Sequence, residues 1–429
     1  MRERIAVIDG IRTPMGKMGG KLSKLNADIL GSYIVREIYS TFCDYGVDIS
    51  EVIIGNVAQP AHAANIARVI SLRANIPINV PAYTVHRNCA SGIESITSAS
   101  CKILADKADV IIAGGVESMS NVPLLFRPEF KEILENFLKS KTILQKLSCL
   151  GKVRLKYLKP VIGLKLGLTD HVCNLIMGDT AEILAKEFNI TREEQDIFAR
   201  DSHNKAEKAI ENKIFKEEIL PICYDLDKAK MMYDDEGIRK GQNLKALGKL
   251  KPFFDRRNGT VTAGNSSQIT DGAAAVILMK ESRAKELGIV PIGFIKDFSY
   301  AGLDPSRMGL GPAYAIANLL NHNETLINDV DLWEINEAFA AQVIACLKAL
   351  DSKKFAKEKL SLDNKIGSID PKKLNINGGA IAYGHPVGMT GTRIIITLLR
   401  SLNRLKKQTA IASLCVGGGQ GAAVLLERE

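Results

Sequence analysis

The chain has 429 residues, of which 46% are hydrophobic and 24% charged, and its formal net charge is +9. These values are typical of a globular protein and exclude a disordered tail, a collagen-like fibre and a small disulfide-rich domain. At roughly 100–200 residues per domain, the length predicts two or three domains.

Hydropathy and cysteine spacing narrow the class of protein. No stretch reaches the ~18 consecutive apolar residues of a membrane span. The N-terminus resembles a strand rather than a signal peptide, so we expect a cytoplasmic protein. The eight cysteines are scattered and none forms a Cys-x-x-Cys pair. That spacing argues against zinc ribbons and redox motifs, and no metal site is expected.

Strands alternate with helices in the first and last thirds of the chain, which predicts an α/β layered fold. The apolar spacing predicts strands at residues 5–8, 51–55, 110–115, 291–296, 331–335, 408–415 and 421–426. It predicts helices at residues 26–39, 61–74, 312–320, 337–349 and 388–402. The similar pattern of the two thirds indicates an internal duplication.

The middle of the chain differs from both thirds. Residues 121–245 are rich in lysine and have helical spacing with few strand signals. We therefore predict an N-terminal α/β domain (1–120 plus 246–286), an inserted domain (121–245) and a C-terminal α/β domain (287–429).

Cys89 lies where a turn leads into a helix. The free N–H groups and the dipole of a helix N-terminus favour an anion, which lowers a thiol pKa and exposes a nucleophilic thiolate. The same N–H groups suit the oxyanion of an acyl adduct. The alternative is a small buried residue in a tight strand-to-helix turn.

Three further segments carry candidate chemistry. His385 lies in a glycine-dense turn before a helix, where a fixed imidazole is a good candidate for a base. Cys415 ends a strand beside four glycines, although a buried cysteine before a turn is the alternative. Asn336 lies between a strand and a helix, and its alternative role is that of a helix cap.

Together these segments resemble the thiolase family of acetyl-CoA acyltransferases. The matching motifs are Asn88-Cys89-Ala90-Ser91-Gly92, Asn336-Glu337-Ala338-Phe339, Gly384-His385-Pro386 and the run from Cys415 to Gly421. Further matches are Glu117-Ser118-Met119-Ser120, residues 177–182 and residues 259–267. The resemblance implies a duplicated five-layer α-β-α-β-α fold in which the inserted domain forms a lid and binds CoA.

The resemblance also implies a mechanism. Cys89 is the acyl-accepting nucleophile, His385 activates it, and Cys415 is the acid that protonates the leaving enolate. One oxyanion site involves His385 and Asn336, and the other the N–H groups of Cys89 and Gly417. CoA is a substrate and no permanently bound cofactor is expected. The positions that match CoA contacts are Met177, Arg239, Phe254, Ala263, Ser267 and Phe339.

The segment from Arg127 to Lys165 is longer than in short-chain members of the family and resembles the extended loop of thiolase subunits in β-oxidation complexes. It holds ten lysines and arginines against three glutamates, so it carries a charge of +7 out of the formal net charge of +9 of the whole chain. It has an amphipathic pattern, and one hypothesis is that it docks on a membrane surface or on a partner dehydrogenase/hydratase subunit. The alternative is a helical lid packed on its own protein. Because the charge is local, nucleic-acid binding is not expected.

Two other functions compete with thiolytic cleavage and the reverse Claisen condensation. One is a ketoacyl-synthase-like condensing enzyme, against which Cys415 argues. The other is a non-catalytic acyl-CoA-binding scaffold subunit, which would not need the full set of reactive residues. By resemblance we expect a homodimer or homotetramer. The pattern leaves the reaction direction and the preferred acyl chain length open.

Overall fold

The computed structural model describes residues 3–43 and 45–428. The chain forms two compact units, one of Met1–Asn121 with Asp170–Glu429 and the other of Val122–Thr169. The smaller unit contains the whole basic segment 127–165.

The first part of the larger unit alternates strands with helices, as the pattern predicts. Its elements are β1 (Ile5–Arg12), β2 (Gly16–Lys17), α1 (Ala27–Cys43), β3 (Glu51–Gly55), α2 (Ile66–Arg73), β4 (Ala82–Val85), α3 (Ser91–Leu104) and β5 (Val110–Ser118). The helix predicted at 61–74 begins only at Ile66, so its predicted start is wrong. The reason is that Asn65 stands at the N-cap and donates its amide to the Ala82 carbonyl at 3.0 Å.

The smaller unit consists of short helices and one two-stranded sheet. Its elements are β6 (Leu124–Leu125), α4 (Pro128–Lys139), α5 (Ile143–Leu150), α6 (Leu155–Leu158), β7 (Val161–Ile162) and α7 (Gly163–Gly167). None of the four helices has a buried residue, although their sequences are rich in leucine. Leu138, Ile143 and Leu144 are each about 80% exposed.

The chain then returns to the larger unit through two long helices and a hairpin. The elements up to residue 250 are α8 (Met177–Glu187), α9 (Arg192–Glu211), β8 (Ile222–Asp225), β9 (Lys230–Met232) and α10 (Leu244–Gly248). The middle of the chain therefore has two small antiparallel sheets, β6–β7 and β8–β9, where the sequence shows few strand signals. These strands are too short to give a clear alternating pattern.

The remaining elements complete the larger unit. They are β10 (Thr270–Lys280), α11 (Glu281–Glu286), β11 (Gly293–Gly302), α12 (Gly311–His322), β12 (Leu332–Ile335), α13 (Ala340–Leu350), α14 (Lys353–Lys359), α15 (Ala380–Tyr383), α16 (Val387–Leu405), β13 (Thr409–Val416) and β14 (Gln420–Glu427). The strand predicted at 291–296 is longer than expected, and the helix predicted at 337–349 begins later, at Ala340.

Strand pairing reveals the duplication that the sequence pattern indicates. The first half pairs in the order β1-β10-β5-β3-β4 and the second in the order β11-β14-β13-β12. Leu374 adds a parallel bridge to Trp333 on β12, in the place that β4 takes beside β3. In the first half β3 and β5 are parallel, whereas β5–β10 and β10–β1 are antiparallel. In the second half β12 and β13 are likewise parallel, whereas β13–β14 and β14–β11 are antiparallel. Pairing of β1 with β11 joins the halves into one sheet.

Three apolar clusters place helices on both sides of each half-sheet. The central cluster packs α3 and α16 between the halves, another packs α1 and α2 outside the first half, and a third packs α12 and α13 outside the second. This arrangement is the predicted five-layer α-β-α-β-α order. The duplication gives α3 and α16 equivalent central places, so their N-termini belong to equivalent ends of the two halves. No helix in the described ranges is long and apolar enough to cross a bilayer.

Candidate active site

The nucleophile candidate lies in the turn between β4 and α3. Cys89 comes two residues before the first residue of α3 and is partly exposed. Asn88 has a positive φ of 42°, and the Ser91 hydroxyl donates to the Asn88 carbonyl at 2.7 Å. The turn therefore holds Cys89 in the place that the sequence predicts, at the start of a central helix.

Two opposing effects act on the Cys89 thiol. Desolvation raises its pKa, and hydrogen bonds from the N–H of Gly417 and from its own N–H lower it. The net pKa lies above the ordinary value. The helix start alone therefore does not supply a thiolate, contrary to the sequence-based expectation of a lowered pKa. A neighbouring base is needed to take the proton.

His385 occupies the equivalent place before α16. Gly384 precedes it with a φ of 110°, and a Cβ there would collide with Thr270, so only glycine fits this turn. The His385 backbone N–H donates to the Gln268 carbonyl at 3.0 Å. Gln268, which carries no motif signal in the sequence, thus fixes the base candidate.

The hydrogen bonds of His385 define which nitrogen is the base. The Thr390 hydroxyl donates to the Pro386 carbonyl at 3.0 Å and lies 2.7 Å from His385 Nδ1. Since the hydroxyl has one proton, it accepts from Nδ1–H, and Nε2 carries the free lone pair. Nε2 is buried and has no protein partner. Burial, helped by the charge of Arg393, lowers the His385 pKa to about 4, so the ring is neutral near pH 7.

Cys415 lies at the end of β13, before a tight turn of three glycines. It is buried, and burial together with the neighbouring Cys89 raises its pKa well above the ordinary value. It is thus a protonated thiol, which suits an acid. The Asn88 Nδ2 donates to the Gly417 carbonyl at 2.7 Å and ties this turn to the Cys89 turn.

Asn336 follows β12 directly. Its N–H donates to the Ser413 carbonyl at 2.9 Å, and its side chain is buried. Neither amide atom has a protein partner, so a donor and an acceptor are free for substrate or solvent. The helix-cap alternative is wrong, because α13 begins at Ala340 and its N-cap is Phe339.

Four of the six predicted CoA positions share one region. A Cβ on Gly417 would lie 3.3 Å from Met177 Sδ, so Met177 adjoins the glycine turn. The rings of Phe254 and Phe339 meet edge to face at 6.1 Å. The Ser267 N–H donates to the carbonyl of the residue before Phe339 at 2.9 Å. Met177, Phe254 and Phe339 pack in the same apolar cluster as Cys415 and form an apolar wall beside this second cysteine.

The other two CoA positions are more exposed. Ala263 lies in the exposed part of the loop that also holds Ser267. Arg239 is exposed, and its backbone N–H donates to His203 Nδ1 at 3.2 Å. No group of three or more His, Cys, Asp or Glu side chains in the described residues is arranged to hold a metal ion.

Removing the Thr390 hydroxyl tests its part in orienting His385. We expect Thr390→Val to lower kcat by about 10–100-fold with little change in KM, because the ring loses its fixed tautomer and orientation. Steady-state kinetics with acetoacetyl-CoA and CoA measure this effect, and Thr390→Ser should restore most of the rate.

The matched control for that experiment is Thr397→Val. Thr397 lies on the same helix, is buried, and donates to Glu218 at 3.2 Å. An equal loss in both threonine variants would mean that the helix, and not the histidine, responds to the substitution.

Two family models match nearly the whole chain. The model described as thiolase, N-terminal domain, matches residues 5–282, and that described as thiolase, C-terminal domain, matches residues 289–428. The chain belongs to the thiolase family. The four principal motifs that resemble this family lie in the turns just described, at the ends of β4, β12 and β13 and before α16.

Named relatives extend this result. The chain is 37% identical to a 3-ketoacyl-CoA thiolase of Escherichia coli over 428 residues and 38% identical to one of Serratia proteamaculans over 431 residues. Each alignment covers 100% of this chain and 97% of the relative. These relatives confirm the prediction of a thiolase, an acetyl-CoA C-acyltransferase, and do not favour the condensing-enzyme or scaffold alternatives.

Solved thiolase structures share the fold. The Bacillus anthracis acetyl-CoA acetyltransferase superposes with a TM-score of 0.87 at 36% identity and covers 99% of both chains. Human mitochondrial 3-ketoacyl-CoA thiolase in complex with CoA gives a TM-score of 0.85 at 34% identity and covers 100% of this chain and 98% of its own. They confirm the predicted fold class.

Proposed function

We propose that this thiolase transfers an acyl group between a 3-ketoacyl-CoA and CoA through a thioester on Cys89. The observation that carries the proposal is the approach of the two thiols, since Cys89 is close enough to raise the pKa of Cys415 and is hydrogen-bonded by the N–H of Gly417. The first turns of α3 and α16 also meet, because a Cβ on Gly92 would lie 2.9 Å from the Gly388 carbonyl oxygen. His385 Nε2 and the Asn336 amide, both buried and without protein partners, complete the proposed set. The substrate class follows from the named relatives.

In the first half-reaction, His385 Nε2 takes the proton of Cys89, and the sulfur attacks the keto carbon of the substrate. The bond between the second and third acyl carbons breaks, leaving the shortened acyl group on Cys89. The electron pair of that bond passes to acetyl-CoA as an enolate, which takes a proton from Cys415. The high pKa of Cys415 supports this role because the thiol is protonated before the step.

In the second half-reaction, the Cys415 thiolate takes the proton of an incoming CoA thiol. The CoA sulfur attacks the thioester, and the acyl group leaves as acyl-CoA while Cys89 recovers its proton. Splitting the reaction this way replaces one difficult step with two easier ones. Run backwards, the same steps condense two acetyl-CoA molecules.

Each half-reaction develops charge on oxygen. We assign one oxyanion site to His385 and Asn336 and the other to the N–H groups of Cys89 and Gly417. The free buried amide of Asn336 and the two N–H groups at the Cys89 sulfur support this assignment. Removing one such donor typically costs about 10²–10³-fold in rate.

CoA would lie along the apolar wall and reach the exposed loops beyond it. Met177, Phe254 and Phe339 would contact its uncharged arm, while Ser267 and Ala263 border the loop beside it. The exposed guanidinium of Arg239 suits a phosphate, because its planar donors match phosphate oxygens. No bound cofactor enters these steps.

Thiolysis of 3-ketoacyl-CoAs of graded length tests the function. We expect CoA-dependent loss of the enolate absorbance with acetoacetyl-CoA and with longer substrates. Turnover of none of them would contradict the proposed function, and turnover of acetoacetyl-CoA alone would limit it to the shortest substrate.

We also propose a homodimer or homotetramer. Strand β4 lies at the edge of the large sheet, its four residues are only half-buried, and it leads directly to the Cys89 turn. An edge strand of this kind offers unpaired backbone groups to a second copy. Sedimentation equilibrium should give the mass of two or four chains, and the mass of one chain would contradict the proposal.

The basic segment 127–165 is the proposed docking surface for an anionic membrane. Its +7 charge and its exposed leucines and isoleucines combine the two features that bind amphipathic helices to lipid surfaces. Flotation with anionic liposomes tests this surface, and a Leu144→Ser/Leu147→Ser variant should float less than the unsubstituted protein. The control is Leu326→Ser, which changes an exposed leucine of the larger unit and should float like the unsubstituted protein. Absence of flotation for the unsubstituted protein would contradict membrane docking.

A cytoplasmic location completes the proposal. All eight cysteines are free thiols, which is usual in a reducing compartment. Cell fractionation would test it, and recovery outside the cytoplasm would contradict it.

A further inference from the structure

The motif residue Glu117 has a buried carboxylate that the proposed mechanism does not use. It lies at the end of β5 and is fully buried. Its two oxygens accept four hydrogen bonds, from the backbone N–H groups of Val57 (3.2 Å), Ala58 (2.9 Å) and Gly388 (2.9 Å) and from the Asn56 amide (3.1 Å). Four donors on one buried carboxylate match the ionised form.

The duplication gives Glu117 a specific place. The last parallel pair of β3 with β5 is Gly55–Gly115, and that of β12 with β13 is Ile335–Ser413. When the halves are aligned on these pairs, Glu117 takes the position of Cys415. Asn56 likewise falls on the position of Asn336. The first half thus has an asparagine and a carboxylate where the second half has the asparagine and thiol of the proposed site.

One of the four hydrogen bonds reaches the helix of the base. Gly388 is the second residue of α16 and lies three residues after His385. A carboxylate at this point binds a free N–H and is favoured by the helix dipole. Gly115 on the same strand allows the approach, since a Cβ there would collide with the Gly388 carbonyl. Glu117 therefore fixes the first turn of α16 from the opposite half of the fold.

Glu117 also acts on the nucleophile through its charge. After desolvation, which is the larger cause, the negative charge of Glu117 raises the pKa of the Cys89 thiol. Burial raises the pKa of Glu117 itself to about 7, and Asp271 on the neighbouring strand adds to this. At pH 8 the carboxylate is therefore ionised and the thiol feels its charge.

We propose that Glu117 is a positioning residue for the acyl transfer, whose carboxylate binds the first turn of α16 and thereby holds His385 in place. This inference rests on the proposed function, because it requires His385 to be the base. It differs from that function in that the four hydrogen bonds of the Glu117 carboxylate go to groups other than Cys89, His385, Cys415 and Asn336.

The test compares Glu117→Gln and Glu117→Asp with the unsubstituted protein at pH 8. In Glu117→Gln, an NH₂ group replaces a carboxylate oxygen that accepts hydrogen bonds from N–H groups, so these bonds are lost. We therefore expect kcat per intact Cys89 to fall about 10–100-fold while KM for CoA changes little. Intact Cys89 is counted by the acetyl group that it takes from acetyl-CoA, located by peptide mapping, so unfolded protein does not enter the rate. Glu51→Gln is the control, since Glu51 lies at the other end of the β3–β5 pair and binds Lys102.

The pH profile of Cys89 alkylation separates positioning from general stability. Loss of the negative charge should move the profile of Glu117→Gln to lower pH, and Glu117→Asp should return it toward that of the unsubstituted protein. An unchanged kcat per intact Cys89, or an unshifted profile, would overturn the inference about Glu117. Absence of thiolysis in the unsubstituted protein would instead overturn the proposed function.

Discussion

Replacing Cys89 with alanine is expected to reduce thiolysis of acetoacetyl-CoA by at least about 10⁴-fold, because no other group can form the thioester. The residue lies in a turn that two further hydrogen bonds hold, so the loss of one sulfur should leave the fold intact. The rate is measured by the enolate absorbance, and circular dichroism checks the fold.

Cys101→Ala is the matched control for that loss. Cys101 lies on α3, the same helix that Cys89 precedes, but it is exposed at the distant end. We expect this variant to keep the full rate. Substantial thiolysis in Cys89→Ala would contradict the assignment of the nucleophile, whatever the control shows.

Replacing Cys415 with alanine is expected to separate the two halves of the reaction. Overall turnover should fall by about 10²–10⁴-fold, since the enolate loses its proton donor. Transfer of an acetyl group from acetyl-CoA to Cys89 should remain detectable, because the CoA thiolate, unlike an enolate, is a stable leaving group that can depart without a proton from Cys415. Exchange of labelled CoA into acetyl-CoA measures the second process apart from the first.

Cys346→Ala is the control for the second cysteine. Cys346 is also buried, and its thiol donates to the Gly309 carbonyl at 3.1 Å, so the substitution removes a similar thiol from a neighbouring part of the core. Equal loss of turnover in both variants would mean that packing, and not proton transfer, is what Cys415 contributes. Unchanged turnover in Cys415→Ala would reject its role as the acid.

Much of the fold could be predicted because the buried strands are continuous apolar runs. Strand β5 is buried at all nine positions, and the sequence predicts its first six residues, 110–115. Element starts were less predictable, since residues 61–65 and 337–339 have helical composition but are not helical. The Asn65 side chain binds the Ala82 carbonyl, and Phe339 is extended and forms a bridge to Ser266, contacts that a local pattern does not contain.

Some residues of the candidate site could also be predicted from the sequence, and others could not. Cys89, His385 and Cys415 stand next to glycines and turns, so motif and spacing point to them. Thr390 and Gln268 orient the histidine through single hydrogen bonds; each lies close to a motif, but neither residue is singled out by it. Their roles depend on tertiary contacts, which the sequence shows only after the fold is known.

The lowered thiol pKa expected from a helix start illustrates the limit of local reasoning. The N–H groups of Gly417 and Cys89 do lower the pKa, but desolvation by the surrounding fold raises it by more. The role of His385 therefore becomes more important than the sequence alone suggests. The surplus positive charge, in contrast, is a local feature of the sequence, and segment 127–165, which holds most of it, lies entirely within the unit Val122–Thr169.

The central claim is that one cysteine carries the acyl group and the other moves a proton. Acid quenching after mixing with acetyl-CoA, followed by peptide mapping by mass spectrometry, tests it most directly. The account predicts an acetyl group on the Cys89 peptide in both the unsubstituted protein and Cys415→Ala. An acetyl group on Cys415, or none on Cys89, would contradict it.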